Sequence, residues 1–125
     1  ISYCFVGKEG FSKFGLYQDA YNNNYDTDSP FVYLGFRPAW IFIRSTGAGR
    51  SFAIYDNKRT PVNPAYQFLL ADTAGTEGSD SSNMDIDFMA NGFKIKGGDG
   101  KINTTGEDYI FAAFAEMPFK YATAR

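Results

Sequence analysis

Phe31-Val-Tyr-Leu-Gly-Phe-Arg-Pro-Ala-Trp-Ile-Phe-Ile-Arg44 decides the fold class. It reads as two apolar, aromatic strands joined through Gly35-Phe-Arg-Pro38. Pro38 has no N–H for a ladder and pushes Arg37 toward an extended conformation, so the chain bends there without starting a helix. Beyond the bend, Trp40, Ile41, Phe42 and Ile43 are apolar on both faces. That is the pattern of a strand in the middle of a sandwich or barrel, and Trp40 is expected to be buried.

Working outward, Ile1 to Val6 reads as a strand, Lys8-Glu-Gly10 as a turn, and Lys13-Phe-Gly-Leu-Tyr17 as a second strand. Gln18 to Pro30 is a long polar loop. Downstream, Thr46-Gly-Ala-Gly-Arg50 is a hairpin connection into Ser51 to Asp56, where Phe52 and Ile54 share one face and Ala53 and Tyr55 the other. Pro61 and Pro64 mark an irregular excursion before a strand over Tyr66 to Ala71, and Thr73 to Asn83 is a polar loop. Met84 to Phe88 alternates apolar and acidic residues. Asn91-Gly92 signals a hairpin turn into Phe93-Lys-Ile-Lys96. The pair sends Met84, Ile86, Phe88, Phe93 and Ile95 toward a core and leaves Asp85, Asp87, Lys94 and Lys96 outside. Gly97 to Gly100 turns the chain, and Tyr109 to Ala115 is a long strand with Tyr109, Phe111 and Ala113 on one face. No segment has a helical period. The expectation is a single all-β domain over residues 1–125, an antiparallel β-sandwich or jelly roll of about eight or nine strands.

Composition agrees. A chain of 125 residues is long enough to bury a core without staples. Aromatic residues make up 18% of it, with 13 Phe and 9 Tyr, while 13 Gly and 5 Pro supply turns. Twelve basic and 14 acidic side chains leave a net charge of −2 and no basic stripe, which argues against nucleic acid. No apolar run approaches the roughly 20 residues that span a bilayer, and no basic leader with an apolar segment marks a signal peptide. Cys4 is the one cysteine and there is no histidine to activate it. A small hydrophobe in a core strand is favoured over a nucleophile or an intermolecular bridge.

Ile1 and Phe5 match Ile110 and Phe114 at one offset, with Cys4 against Ala113 and Val6 against Ala115; Phe11 meets Phe119 after a one-residue slip. Two aromatic strands can coincide by chance. The alternative is a unit of a tandem array whose closing strand leads into the next unit.

Candidate chemistry is sparse. Asp26-Thr-Asp28, Asp85-Ile-Asp87 and Asp99 have oxygens for a hard cation, but their spacing matches no EF-hand, and solvated acids are favoured. Paired carboxylates cutting a glycosidic bond would need two acids across a cleft, which sequence cannot place. Gly47-Ala-Gly49 and Gly97-Gly-Asp-Gly100 precede no helix, so they are turns rather than phosphate cradles. Asn103-Thr-Thr105 is a glycosylation triplet of the kind that arises by chance, and Lys58-Arg59 reads as a solvated turn. The sharpest ligand-binding candidate is Tyr21-Asn22-Asn23-Asn24-Tyr25, since tyrosine with asparagine suits adaptable polar recognition. The competing reading is an ordinary loop whose tyrosines pack on the domain. Phe119 and Tyr121, beyond a proline that stops the last strand, are candidates for self-association.

Tyr3-Cys-Phe5, Gly10-Phe-Ser-Lys-Phe-Gly15, Pro30 to Trp40, Tyr55-Asp-Asn-Lys-Arg59, Asp87 to Lys94 and Tyr109 to Phe119 together resemble a domain of unknown function found in virion structural proteins of tailed bacteriophages, many of them marine. The resemblance covers nearly the whole chain and contains no catalytic signature. In related phage proteins such units sit in larger tail or particle-surface polypeptides, sometimes more than once. It implies a non-enzymatic domain on the virion exterior, acting in assembly or decoration (tail fibre, tail-associated or capsid-exterior). The alternative is a receptor- or glycan-binding module of a tail fibre. The partners expected are other virion proteins, copies of itself and, in the alternative, a host surface glycan. No nucleic acid, membrane insertion, metal or cofactor is expected.

Overall fold

The computed structural model describes residues 1–19 and 29–118. Among these there are nine strands and no helix: β1 (Ser12–Gln18), β2 (Phe31–Tyr33), β3 (Pro38–Ser45), β4 (Ala53–Asp56), β5 (Gln67–Leu70), β6 (Gly78–Ser79), β7 (Ile86–Met89), β8 (Gly92–Ile95) and β9 (Asp108–Ala115). They form two antiparallel sheets. The larger has the order β1-β9-β3-β4-β5-β6 and the smaller β2-β8-β7. Layers of six and three strands make an unequal β-sandwich, without the paired four-stranded sheets of a jelly roll.

The bend at Gly35–Pro38 is the crossover between layers. β2 belongs to the small sheet and β3 to the large one, so the four residues between them carry the chain from one layer to the other. Gly35 turns with φ of +83°, a conformation that costs glycine little. The Asn91 carbonyl accepts the N–H groups of Leu34 (2.8 Å) and Gly35 (3.1 Å), which fixes the crossover to the β7–β8 hairpin. At that hairpin Gly92 sits so close to β2 that a Cβ would lie 2.0 Å from the Val32 carbonyl oxygen.

The core fills the space between the layers. Ile41 and Ile43 of β3, Ala53 and Tyr55 of β4, and Tyr109 and Ala113 of β9 are fully buried from the large sheet. Ile86, Phe93 and Ile95 meet them from the small one. Ring contacts cross the gap: Phe93 meets Tyr17 edge-on at 6.2 Å and Phe111 at 5.6 Å. The register Ile86↔Ile95, Asp87↔Lys94, Phe88↔Phe93 is the one the alternating pattern implies, and Met84, Ile86, Phe88, Phe93 and Ile95 are all buried.

Three expectations fail. Residues 1–6 form no strand and are exposed, Cys4 included. The period-2 pattern is present, but the ladder stops at a single bridge between Lys8 and Ser12, so the segment has no partner. Asp85 is buried rather than outside, because it precedes β7 at the point where its carbonyl accepts the N–H groups of both Lys96 and Gly97, each at 2.9 Å. Trp40 is only half-buried. β3 is indeed central in its sheet, but Ile41 and Ile43 take the inner face and put Trp40 and Phe42 on the outer one.

The proline excursion has a structural role. Asn63 exchanges two side-chain hydrogen bonds with the Phe88 backbone, each 2.9 Å, and Ala65 bridges Ile86. This segment covers the open edge of β7, which would otherwise present unpaired backbone groups.

Candidate docking face

The outer face of the large sheet carries an apolar row flanked by Arg44, Asp56 and Asp108. The register aligns Phe14, Ala112, Phe42, Ile54 and Leu69 in one row across β1, β9, β3, β4 and β5. Beside this row Phe114 is opposite Trp40, and Leu16 is opposite Ile110. An outer face of an antiparallel sheet is ordinarily polar. Here Leu16 is 67% exposed and Ile110 38%, and no other layer of the described residues covers them.

The aromatic side chains build a shaped surface. Trp40 stacks on Phe42 at 6.3 Å, and Phe114 meets Trp40 at 5.6 Å and Phe14 edge-on at 5.9 Å. Phe5, from the unpaired N-terminal segment, stacks on Phe14 at 5.2 Å. Between these rings lies a cleft of about 340 Å³, lined by apolar groups. Ala112 forms its floor because the smallest side chain of the row falls between Phe14 and Phe42. Charged groups near the face are engaged: Arg44 lies 4.5 Å from the centre of the Phe52 ring, Arg37 pairs with Glu116 at 3.2 Å, and Arg59 pairs with Asp56 at 2.7 Å. Such a surface has few donors or acceptors to offer a hydroxyl-rich or anionic ligand.

The residues singled out from sequence fall elsewhere. Tyr21, Asn22, Asn23, Asn24 and Tyr25 lie outside the described residues, as do Phe119 and Tyr121, and Asp26 with Asp28. Asp85 is buried just before β7 and Asp87 lies within β7 opposite Lys94, whereas Asp99 and Asp56 serve turns. Asp99 accepts the Lys101 N–H at 2.8 Å and its ammonium at 3.0 Å, and Asp56 accepts the N–H groups of Lys58 and Arg59 at 2.9 Å. Among the described residues no three acids or cysteines gather as metal ligands. Asn103 is buried and donates to the Gly97 carbonyl at 3.1 Å, so the triplet Asn103-Thr-Thr105 turns its amide inward.

The glycine-containing loops are tied together by polar bonds. Ser45 Oγ donates to Glu107 at 2.5 Å and accepts the Gly47 N–H at 2.9 Å, while Arg50 reaches the same carboxylate at 3.3 Å. The Ser45 hydroxyl, first, and the Arg50 guanidinium hold the Glu107 carboxyl below its ordinary range, with partial desolvation opposing them. This is a staple between two loops at one end of the sandwich.

The outer aromatic face itself had a signal in the sequence. Several strands are apolar in both parities: Trp40 and Phe42 alternate with Ile41 and Ile43, and Ile110 and Phe114 alternate with Tyr109, Phe111 and Ala113. Read strand by strand this means burial. Read across the sheet, it means that a second side needs cover. Of the residues in the internal match, Phe5, Ile110 and Phe114 line the same cleft.

Residues 1–118 match the model of a protein family described as a domain of unknown function, DUF7483. No curated protein and no solved structure matches the chain.

Proposed function

The chain belongs to the DUF7483 domain family, and from that premise we propose that it is a non-enzymatic structural domain of a bacteriophage particle, acting in assembly or surface decoration through its outer aromatic face. The observation that carries this reading is the apolar row from Phe14 to Leu69, which crosses five strands without a charge. A face of that composition is a site for protein against protein. The resemblance of the Pro30–Trp40 and Tyr109–Phe119 segments to virion structural proteins supplies the context, with other virion proteins and copies of the domain as partners. A location on the particle exterior, in a tail fibre, a tail-associated protein or a capsid decoration, belongs to the same proposal.

The test is the position and copy number of the domain in images of intact particles, with its presence checked by mass spectrometry of purified virions. Hundreds of copies over a shell, or a symmetric ring on the tail, are the expected outcomes. Absence from purified particles overturns the reading. Binding of a host glycan is a second reading that rests on the composition of Tyr21 to Tyr25. It predicts glycan-array signals abolished by Tyr21→Ala or Tyr25→Ala.

A further inference from the structure

We propose that the partner of the outer aromatic face is the same face of a second copy of this domain, with the Ile1–Val6 segment of each copy lying along the cleft of the other. This rests on the assembly reading above and names the occupant of its docking face.

Charge and chemistry narrow the choice. The cleft offers rings and methyl groups, so a sugar or a phosphate entering it would lose its hydration without finding donors or acceptors. Arg37 and Arg59 at the margins are held in ion pairs and Arg44, on the face, lies over the Phe52 ring, so there is no array of uncommitted cations for an anionic membrane or a nucleic acid. An uncharged, apolar protein surface with side chains to fill the cleft is complementary to it. The face is itself such a surface, and two copies related by a twofold axis near Ala112 would set row against row.

The N-terminal segment points the same way. The segment is exposed along its length, with Ile1 at 114%, Tyr3 at 82%, Phe5 at 70% and Val6 at 84%. Phe5 is anchored on Phe14 at the wall of the cleft, so the segment starts at the docking face and extends away from its own domain. Its Ile and Phe have the same spacing as Ile110 and Phe114 of β9, whose side chains border the cleft. In a twofold pair, Ile1 and Tyr3 find on the partner the apolar cover they lack at home. Ala112 leaves the socket between the rings that an incoming side chain fills, which is how aromatic anchors concentrate binding energy.

Sedimentation equilibrium of the 125-residue chain tests this directly. The expected result is a reversible dimer, weakened at least tenfold both by Ala112→Trp, which plugs the socket, and by Leu16→Glu, which places a charge on an exposed rim position. Circular dichroism should be unchanged in both, and Leu16→Glu keeps the test valid if the larger residue at 112 disturbs packing. A spin label on Cys4, the single cysteine, should report a defined label-to-label distance in the dimer that Leu16→Glu abolishes. A chain that stays monomeric at every concentration, variants that pair as tightly as the parent, or a monomer that instead binds neutral phosphatidylcholine vesicles would each overturn the proposal. A monomer found on purified particles sinks the pairing alone, whereas a dimer missing from particles sinks the virion reading alone.

Discussion

The Tyr55 hydroxyl donates to the Met84 carbonyl at 2.8 Å, and this bond joins the two layers at a point where both residues are buried. Tyr55 sits on β4 of the large sheet, and Met84 leads into β7 of the small one. Tyr17 repeats the device from β1, donating to the Ile102 carbonyl at 2.6 Å. Each phenol brings a ring to the core and spends its hydroxyl on a carbonyl that the ladders leave over.

Tyr55→Phe should therefore destabilise the fold by about 1–3 kcal/mol, because it keeps the ring but strands a buried carbonyl. Urea unfolding monitored by circular dichroism measures the change, with an unaltered denaturant slope expected. A variant as stable as the parent would show that the Met84 carbonyl has another partner.

The same phenols set an alkaline limit. Burial first, and then neighbouring negative groups (Tyr109, Tyr55 and Asp19 for Tyr17; Asp99, Asp85 and Asp80 for Tyr55), push both well above the ordinary value of 10.0. The folded form then holds its protons longer than the unfolded chain does. Their contribution to stability is complete below pH 10.0 and falls as pH rises from there toward the folded-state pKa. Phenolate absorbance against pH should show a late phase coincident with loss of the circular dichroism signal. A single early phase covering every tyrosine would contradict this.

Gly92→Ala should cost about 1–3 kcal/mol or more, since the new methyl would press into the Val32 carbonyl and force β2 away from β8. Thermal melting of Gly92→Ala beside Gly49→Ala separates close approach from the general effect of losing a glycine. Around Gly49 there is open space, and its cost should be that of a positive φ alone.

Trp40 is the only tryptophan and sits among the rings of the outer face. Its emission should be intermediate between buried and fully hydrated indole, should be open to acrylamide quenching, and should shift to the blue as the protein is concentrated. Trp40→Ala should cost about 1–3 kcal/mol, less than truncation of a fully buried ring. Emission independent of concentration would argue that the face stays wet.

The layers were legible in the sequence wherever a strand finds its partner close by. Asn91-Gly92 announced its hairpin, and the alternation from Met84 to Ile95 assigned the buried side of both strands. The Ile1–Val6 segment shows the opposite case. Its apolar and aromatic residues match those of β9, but a strand is defined by its neighbour, and no pattern within six residues reports whether a neighbour is there. Asp85 was misplaced by parity, which fails at the first residue before a ladder begins. Trp40 was misjudged because apolar residues on both sides of a strand do not say which side faces the other layer. The crossover at Gly35–Pro38 was visible as a bend but not as a change of sheet, since that depends on pairing with residues about sixty to eighty positions later.

β1 and β9 pair so that Ser12 lies opposite Phe114, and the Ala115 N–H closes onto the Phe11 carbonyl at 2.8 Å. A longer polypeptide carrying this unit would thus come in and go out at one point, and the sandwich would hang from it as a lobe instead of adding to its length. Tension along such a polypeptide would pull Phe11 and Ala115 apart and open the β1–β9 ladder one hydrogen bond at a time, like a zipper. Mechanical strength under load would then have to come from whatever clasps the strands from outside.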